Sequence, residues 1–283
     1  MHKIELSGPY QHYTLPRQFE GCLTDVIEVG GTFRPLAGKP ACQKKLRPAR
    51  PGCSIGFELS SKPEPIGSAG TLGAFVRSPN GAISILSNNH VLANVNQLPL
   101  GTPVLQPGVA DDGSMRGDRI GQLTQFAPIQ EGSNLDCALA SVDRPEDVNP
   151  IVMGPRNMSS GLPLDAAEDM HVWKYGRSSQ FTEGVIFETH YAFRMNYDLV
   201  SVQKGEIVAV PFPIIFRNQI GIWGGQGYGS GSLFATDGDS GAVIIEKESD
   251  RPVGLLLGGT DTITVANHLS HVLSHLNVEV VTA

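Results

Sequence analysis

The sequence predicts a mostly β protein made of two β units, with a linker between them and one helix near the C-terminal end. Short apolar runs separated by turn residues recur from Ser54 onward, which is typical of a β-sandwich or barrel. The chain of 283 residues contains 33 glycines and 20 prolines, and this turn-rich composition favours strands over helices. One amphipathic stripe indicates a helix capped by Asn267, with its apolar positions at Leu269, Val272, Leu273 and Leu276.

We divide the chain at changes in this pattern. Residues 1–53 are irregular and form an N-terminal extension, in which we expect a strand around residues 25–29 and a solvated basic loop at 44–51. Residues 54–148 form the first β unit. Residues 149–283 hold the second β unit and the C-terminal helix, and the Pro-, Asn- and Asp-rich linker runs from about residue 144 to 167.

Composition excludes several functional classes. The net charge of -7, without a basic stripe, argues against nucleic-acid binding. No stretch reaches the roughly 18 apolar residues that a membrane helix needs, so we expect no membrane partner. Because residues 1–6 lack an apolar signal region, we expect a cytoplasmic protein, unless a signal has been removed. The four cysteines form no C-x-x-C pair, which argues against a zinc site. Three of them, in the N-terminal region, could support a disulfide in an oxidising compartment, but the missing signal favours free thiols.

A glycine-rich turn before the apolar run 243–245 carries the candidate nucleophile. Residues 237–242 read Asp-Gly-Asp-Ser-Gly-Ala. Amide hydrolysis by serine needs a hydroxyl on a tight turn and backbone N–H groups directed at the developing oxyanion. Glycine tolerates positive φ, so Gly238 can direct its N–H there, while Ser240 supplies the hydroxyl and a second N–H. Taken alone, the motif fits an ordinary hairpin turn equally well.

His90 and Asp136 are the matching base and carboxylate. His90 follows the apolar strand 82–86 on a predicted turn, and imidazole titrates in the range that a general base needs. Asp136 opens a run of small and apolar residues, where an unpaired charge is costly to bury. Accepting the imidazole N–H removes that cost and fixes the tautomer, although a lone aspartate here could simply cap a turn.

The order His, Asp, Ser makes the combination more specific than its parts. The first two residues lie in the first β unit and the third in the second. This order differs from the Ser, Asp/Glu, His order of α/β-hydrolases, and residues 238–242 also fail the G-x-S-x-G pattern. Three other histidines, at 268, 271 and 275, share one helical face but have no acidic or cysteine ligand nearby in sequence, so we predict no metal site.

The chain resembles the trypsin/chymotrypsin-like serine peptidases. Ser-Asn-Asn-His-Val at 87–91 resembles the histidine motif of the HtrA-like bacterial branch. Four further segments resemble the plant narrow-leaf-type peptidases and their bacterial relatives: Gly-Thr-Leu-Gly at 70–73, Trp-Lys-Tyr-Gly-Arg at 173–177, Thr-Glu-Gly at 182–184 and Gly-Leu-Leu-Leu at 254–257. The resemblance covers roughly residues 54–280, but residues 1–53 and about 190–232 fit no pattern of the family.

This resemblance implies an all-β fold of two six-stranded antiparallel β-barrels, with the active site in the cleft between them and an α-helix at the C-terminus. It implies a serine endopeptidase in which Ser240 attacks the scissile carbonyl, His90 takes its proton and Asp136 stabilises the imidazolium. The N–H groups of Gly238 and Ser240 then hold the oxyanion. The acyl-enzyme pathway needs no metal and no organic cofactor.

The resemblance also implies where the S1 pocket lies. Its base falls at Phe234, six residues before the nucleophile, and its wall at Leu257, Gly258 and Gly259. These residues carry no charge, so we expect a small or medium apolar P1 residue. Asp261 would make the pocket acidic if its side chain turned inward.

Two other functions stay open at this point. One is a binding module whose protease activity is dormant until a partner orders the glycine-rich loop 224–232, and the other is an esterase with the same three residues. We expect a polypeptide substrate, and leave an activating partner or a homo-oligomer open. We expect no proteolytic maturation, because the candidate new N-terminus, Ile-Glu-Val-Gly-Gly at 27–31, lacks a basic cleavage residue before it.

Overall fold

The computed structural model describes residues 39–60, 66–203, 206–225, 227 and 231–283, together with the backbone of two earlier strands. These strands, Gln18–Phe19 (β1) and Cys22–Leu23 (β2), pair antiparallel within a first compact unit, residues 1–38. The second compact unit is residues 39–283. The strand expected at 25–29 lies outside the described residues, as do residues 27–31. Within the described part of the chain, no helix is long and apolar enough to cross a membrane.

Two six-stranded antiparallel sheets form the second unit, which confirms the predicted fold class. Two short ladders come first, made by Ser54–Ile55 (β3), Glu58–Ser60 (β4), Ile66–Gly67 (β5) and Gly70–Thr71 (β6). The strands of the first sheet are Ala74–Arg77 (β7), Ile83–Ser87 (β8), Pro103–Leu105 (β9), Arg119–Phe126 (β10), Ala138–Ser141 (β11) and Glu279–Val280 (β18). Their order is β18-β7-β8-β11-β10-β9, so a strand from the far C-terminal end completes this sheet.

The second sheet closes into a barrel. Its strands are His171–Gly176 (β12), Gln180–Gln203 (β13), Glu206–Gly224 (β14), Val243–Glu246 (β15), Pro252–Gly259 (β16) and Ile263–His268 (β17). Their order around the barrel is β12-β13-β14-β17-β16-β15. Apolar side chains from facing strands fill the interior, and they include Val172, Ile186, Ile222, Ile244 and Ala266. Closure leaves no free sheet edge except where a strand runs beyond its neighbours.

Strands β13 and β14 are much longer than the barrel requires. Beyond the rungs that pair with the barrel, residues 188–203 and 206–219 continue as a two-stranded antiparallel arm, which we call the extended hairpin. A two-stranded ribbon alone is marginally stable in water. The extended hairpin instead packs one apolar face onto both sheets, in a cluster formed by Val95, Ile129, Tyr197, Ile214, Phe216, Leu257 and Val265.

The C-terminal helix lies where the amphipathic stripe predicts it. It spans Leu269–Leu276 (α2), and all four predicted apolar positions are buried between the two sheets. The predicted N-cap is wrong: the helix is preceded by His268, and Asn267 belongs to strand β17. The Asn267 side chain is used elsewhere, because its Oδ1 accepts the backbone N–H of Asp136 at 2.9 Å.

Residues 39–53 pack against the first sheet. Cys42, Ala49 and Cys53 are fully buried in its core, and the basic residues of the expected solvated loop are tied to the protein surface. Arg47 Nη1 donates to Gln106 Oε1 at 2.5 Å, and Arg50 Nη2 donates to the carbonyl of Val152 at 2.7 Å. Cys42, Cys53 and Cys137 are free thiols, and burial raises the pKa of Cys53 to about 12.

Helix α2 allows a direct test of the core that the two sheets share. Truncation of Leu269, which is 0% exposed, should lower the free energy of unfolding by about 2–5 kcal/mol in the Leu269→Ala variant, because it leaves a cavity between the sheets. Urea unfolding followed by circular dichroism measures this change. The control Ser274→Ala, on the exposed side of the same helix, should change it by less than about 0.5 kcal/mol. Equal effects of the two variants would contradict this account of the helix.

Candidate active site

Different elements hold the three predicted residues. His90 lies on the one-turn helix Asn89–Leu92 (α1), directly after strand β8. Asp136 lies just before β11, the strand that pairs with β8, so the pairing brings the two residues together. Ser240 lies in the turn before β15. Gly70 lies between the segments that carry His90 and Ser240, because a Cβ added to it would meet both the side chain of Val91, next to His90, and the carbonyl oxygen of Ser240.

His90 and Asp136 form a close pair. His90 Nδ1 lies 2.5 Å from Asp136 Oδ2, and the backbone N–H of His90 donates to Asp136 Oδ1 at 3.2 Å. An ionised carboxylate only accepts, so Nδ1 carries a proton in this pair, and in the neutral imidazole Nε2 is then the nitrogen with the free lone pair. The Asp136 side chain is 0% exposed and that of His90 is 22% exposed, so the imidazole alone faces the solvent.

Further contacts enclose Asp136. Its carbonyl accepts from Asn88 Nδ2 at 2.6 Å, and Asn267 holds its N–H as described above. The hydroxyl of Tyr197, on the extended hairpin, donates to Asp136 Oδ2 at 2.8 Å. The polar groups that bond to the main chain and side chain of Asp136 thus come from the first sheet, the barrel and the extended hairpin.

The turn that carries Ser240 is held from both sides of the molecule. The Thr71 N–H donates to the carbonyl of Ser240 at 2.8 Å, and Thr71 Oγ1 donates to the carbonyl of Gly238 at 2.9 Å. The Ser240 hydroxyl itself donates to the carbonyl of Leu257, on β16, at 3.0 Å. Ser240 as a whole is half-buried.

Two glycines give the turn its shape. Gly238 and Gly241 have φ of +92° and +94°, a conformation that residues with a Cβ rarely adopt. A Cβ at Gly238 would also collide with the guanidinium of Arg177, which forms a bidentate pair with the buried Asp111. In the described part of the chain, the N–H groups of Gly238 and Ser240 donate to no protein acceptor. They are therefore available to an anion bound beside the serine hydroxyl.

A buried ion pair lies behind this turn. Lys174 Nζ is 3.2 Å from Asp239 Oδ2, and both side chains are 0% exposed. The ammonium also donates to Ser179 Oγ and to the carbonyl of Gln180, so all three of its N–H bonds have acceptors. Asp239 accepts from the N–H groups of Ser178, Ser179 and Thr236 and from Ser179 Oγ.

The two charges shift each other's pKa. Burial lowers the pKa of Lys174, and the Asp239 carboxylate offsets this only in part. Burial on its own would raise the pKa of Asp239, but Lys174 and the hydrogen bonds from Ser179, Thr236 and Ser178 hold it below its usual value. Asp239 therefore stays ionised near neutral pH.

Comparison with known proteins identifies the fold. No protein-family model and no curated protein sequence matches the chain. Nocardiopsis protease (NAPase) superposes with a TM-score of 0.53 at 14% identity, over 83% of this chain and 100% of that one. Protease A of Thermobifida fusca gives 0.52 at 15% identity, over 83% and 100%. A glutamic acid-specific serine protease gives 0.52 at 12% identity, over 82% and 100%.

The chain has the trypsin/chymotrypsin-like serine protease fold. All three structures named are serine proteases, and each is covered along its whole length. At 12–15% identity this likeness establishes the architecture, and the chemistry must be argued from the residues.

The residues predicted for the S1 pocket of this protease fold occupy three kinds of environment. Phe234 is 2% exposed and packs in the core of the barrel, with the Lys174 ammonium 5.8 Å from its ring centroid. Leu257 is buried, whereas Gly258 is half-buried and Gly259 exposed at the end of β16. Asp261 lies in the exposed turn after them and does not point into the core.

Sequence reasoning missed Lys174, Thr71 and Tyr197. Lys174 stands in the middle of an apolar strand, where a charge needs a buried partner, and Asp239 in the glycine-rich turn is such a partner. The signal for Tyr197 is an alternation of large apolar residues with small or polar ones: Tyr191, Phe193, Met195, Tyr197 and Leu199 are separated by Ala192, Arg194, Asn196 and Asp198.

Substitution of either member of the Lys174–Asp239 pair should destabilise the protein. Lys174→Met or Asp239→Asn leaves one buried charge without its partner, so each should lower the free energy of unfolding by about 3–5 kcal/mol. The variant with both changes should lose much less than the sum. Folding lowers the pKa of Asp239. The contribution of its charge to the free energy of unfolding is therefore complete above about pH 4 and is lost as the pH falls through the pKa of the folded state. The loss of stability in Asp239→Asn relative to wild type should shrink over that range.

Urea unfolding of wild type, both single variants and the double variant measures this coupling. The control is the partly exposed pair Lys247–Glu183, at 2.9 Å, for which Lys247→Met should change stability by less than about 1 kcal/mol. Strict additivity of the two buried substitutions would show that the ion pair does not hold the turn.

Proposed function

We propose that the protein is a serine endopeptidase with His90, Asp136 and Ser240 as its catalytic triad. The observation that carries this proposal is the His90–Asp136 pair, in which a fully buried carboxylate accepts the Nδ1 proton at 2.5 Å and leaves Nε2 as a base. The fold supports it, since the solved structures that superpose on the chain are serine proteases.

The mechanism begins at Ser240. The hydroxyl must leave the carbonyl of Leu257 and turn toward His90 Nε2, which exchanges one neutral hydrogen bond for another. His90 takes the proton as Oγ attacks the scissile carbonyl, and Asp136 stabilises the imidazolium that forms. The imidazolium then protonates the leaving amine, and water releases the acyl group by the reverse sequence.

The oxyanion is assigned to the N–H groups of Gly238 and Ser240. These donors have no acceptor among the described residues, and the turn that carries them is fixed by Thr71 and by the buried ion pair. Donors held in place before the reaction need no reorganisation when charge develops, and each is worth about 100- to 1000-fold in rate.

The proposed peptidase does not need activation by a newly cleaved N-terminus. In trypsin-like zymogens such a terminus pairs with the aspartate that precedes the nucleophile, which here is Asp239. Lys174 already supplies a buried cation to that carboxylate. The turn is therefore organised within the single chain.

The substrate is assigned as a polypeptide bound along β16. Strand β15 pairs with β16 as far as Leu255, and the backbone of Gly241 and Ala242 continues this pairing to Leu256. Strand β17 occupies the opposite edge at Gly258 and Gly259. Beyond Leu256, no strand among the described residues pairs with the first edge, which can accept an extended peptide as an added strand beside Ser240. This main-chain pairing favours a peptide over a simple ester.

Substitution of the nucleophile tests the proposal. Ser240→Ala should abolish labelling by a fluorophosphonate probe and lower casein hydrolysis by about a million-fold, with the circular dichroism spectrum unchanged. The exposed Ser274→Ala variant should label and hydrolyse like wild type. Hydrolysis by Ser240→Ala at more than about a hundredth of the wild-type rate would refute the assignment.

The same assays separate the alternative functions. Labelling at Ser240 with ester but no casein hydrolysis would indicate an esterase, and no labelling of a folded protein would indicate a dormant module. The proposal requires labelling and hydrolysis of both substrates.

We predict a preference for small or medium apolar residues at P1. The residues assigned to the pocket are uncharged and Asp261 is exposed, so no carboxylate is placed to receive a buried Arg or Lys. Burial of an apolar P1 side chain is worth about 1.5–3 kcal/mol. Cleavage sites in a peptide library measure this preference. Predominant cleavage after Arg or Lys that disappears in Asp261→Ala would show instead that Asp261 forms the base of the pocket.

A further inference from the structure

The oxygen of Asp136 that faces His90 receives a second donor from the extended hairpin, the part of β13 and β14 that runs beyond the barrel. Oδ2 lies 2.5 Å from His90 Nδ1 and accepts the Tyr197 hydroxyl at 2.8 Å. Tyr197 belongs to the extended hairpin, the part of the chain that the sequence could not relate to any pattern.

The Tyr197 hydroxyl is held firmly in this position. The residue is 7% exposed, and its ring centroid lies 5.7 Å from that of His90 and 6.3 Å from that of Phe216 on the partner strand β14. Two residues earlier on the same face of β13, Met195 packs against Gly258 of β16. The extended hairpin is thereby fixed against the barrel on the peptide-binding side.

The ionisable groups facing Asp136 come from three elements. They are His90 of α1, Tyr197 of β13 and the neighbouring Cys137 at the start of β11. Burial and the Asp136 charge raise the pKa of Tyr197 well above its usual value, and the same two causes raise that of Cys137. The phenol and the thiol therefore both stay protonated at neutral pH, and the phenol acts as a neutral donor.

We propose that Tyr197 is a positioning residue for the His90–Asp136 pair, so that the extended hairpin forms part of the active site. The inference rests on the proposed function. Two donors converging on Oδ2 fix the plane of the carboxylate and hence the direction of the Nδ1 hydrogen bond, which orients Nε2. The hydroxyl also takes a share of the carboxylate charge, which weakens the hold of Asp136 on the imidazolium proton.

A purely structural role for the hydroxyl predicts different behaviour. If the phenol only satisfied a buried charge, its removal would lower stability and leave the folded enzyme with unchanged pH dependence. If it positions the pair, its removal lowers the rate of the folded enzyme and moves the acidic limb of the rate profile to higher pH, because that limb reports protonation of the essential base.

The test compares Tyr197→Phe with Tyr191→Phe. Tyr191 lies on the same face of the same strand, and its ring packs against Phe187 and Phe193 with centroids 5.5 and 6.3 Å apart. Both variants lose one phenolic hydroxyl from the extended hairpin. The rate constant for fluorophosphonate labelling of Ser240 is measured from pH 5 to 9 and divided by the folded fraction from circular dichroism, so that any unfolding is accounted for.

For Tyr197→Phe we expect a roughly 10- to 100-fold lower labelling rate at neutral pH, since losing a hydrogen bond to a charged group changes a free energy by an amount equivalent to this factor. Its acidic limb should move to higher pH, and kcat for casein should fall more than KM rises. Tyr191→Phe should match wild type in all three. If wild type is labelled normally and Tyr197→Phe is labelled at the same rate with the same pH profile, this inference alone is overturned. If wild type is not labelled at all, the proposed function is overturned.

Discussion

The buried carboxylate of Asp136 is the constraint on which the site depends. A carboxylate with no exposed surface costs several kcal/mol unless donors surround it. Here the donors are the backbone and ring of His90 and the hydroxyl of Tyr197, while Asn88 and Asn267 hold the main chain of the same residue. The donors to the carboxylate come from α1 beside the first sheet and from the extended hairpin, and the barrel holds the main chain, so all of these contacts of Asp136 form only when the three parts are assembled.

A second buried charge acts on the nucleophile's side of the cleft. Asp239 and Lys174 are both fully buried, and their hydrogen bonds fix the segment directly before Ser240. Thr71 then joins the two halves, because it is bonded to the carbonyls of both Gly238 and Ser240 while its own carbonyl accepts from Ser87, three residues before His90. His90 and Ser240, the proposed base and nucleophile, are thus held by strands and buried polar contacts, which is the arrangement that precise positioning requires.

Much of this architecture can be predicted from the sequence, because local patterns determine it. Glycine-separated apolar runs predict the strands of both sheets, and the stripe from Leu269 to Leu276 predicts the helix. The extended hairpin was missed although residues 213–216 are predicted as a short strand, because short local patterns give neither the full length of β13 and β14 nor their pairing, and Pro211 and Pro213 are unusual inside a ladder. Both prolines are exposed on a two-stranded arm, where no third strand needs the N–H group that proline lacks. The contacts of Asn267 and Tyr197 with Asp136 join residues 131 and 61 positions apart, which no local pattern encodes.

The most direct test of the account is the crystal structure of the protein after reaction with a peptidyl phosphonate. The account predicts a covalent bond from Ser240 Oγ to phosphorus, a phosphoryl oxygen accepting from the N–H groups of Gly238 and Ser240, and the His90–Asp136 pair unchanged. A phosphonate attached to another residue would contradict it. So would an adduct whose phosphoryl oxygen points away from Gly238, because the turn would then not provide the oxyanion site on which the proposed chemistry depends.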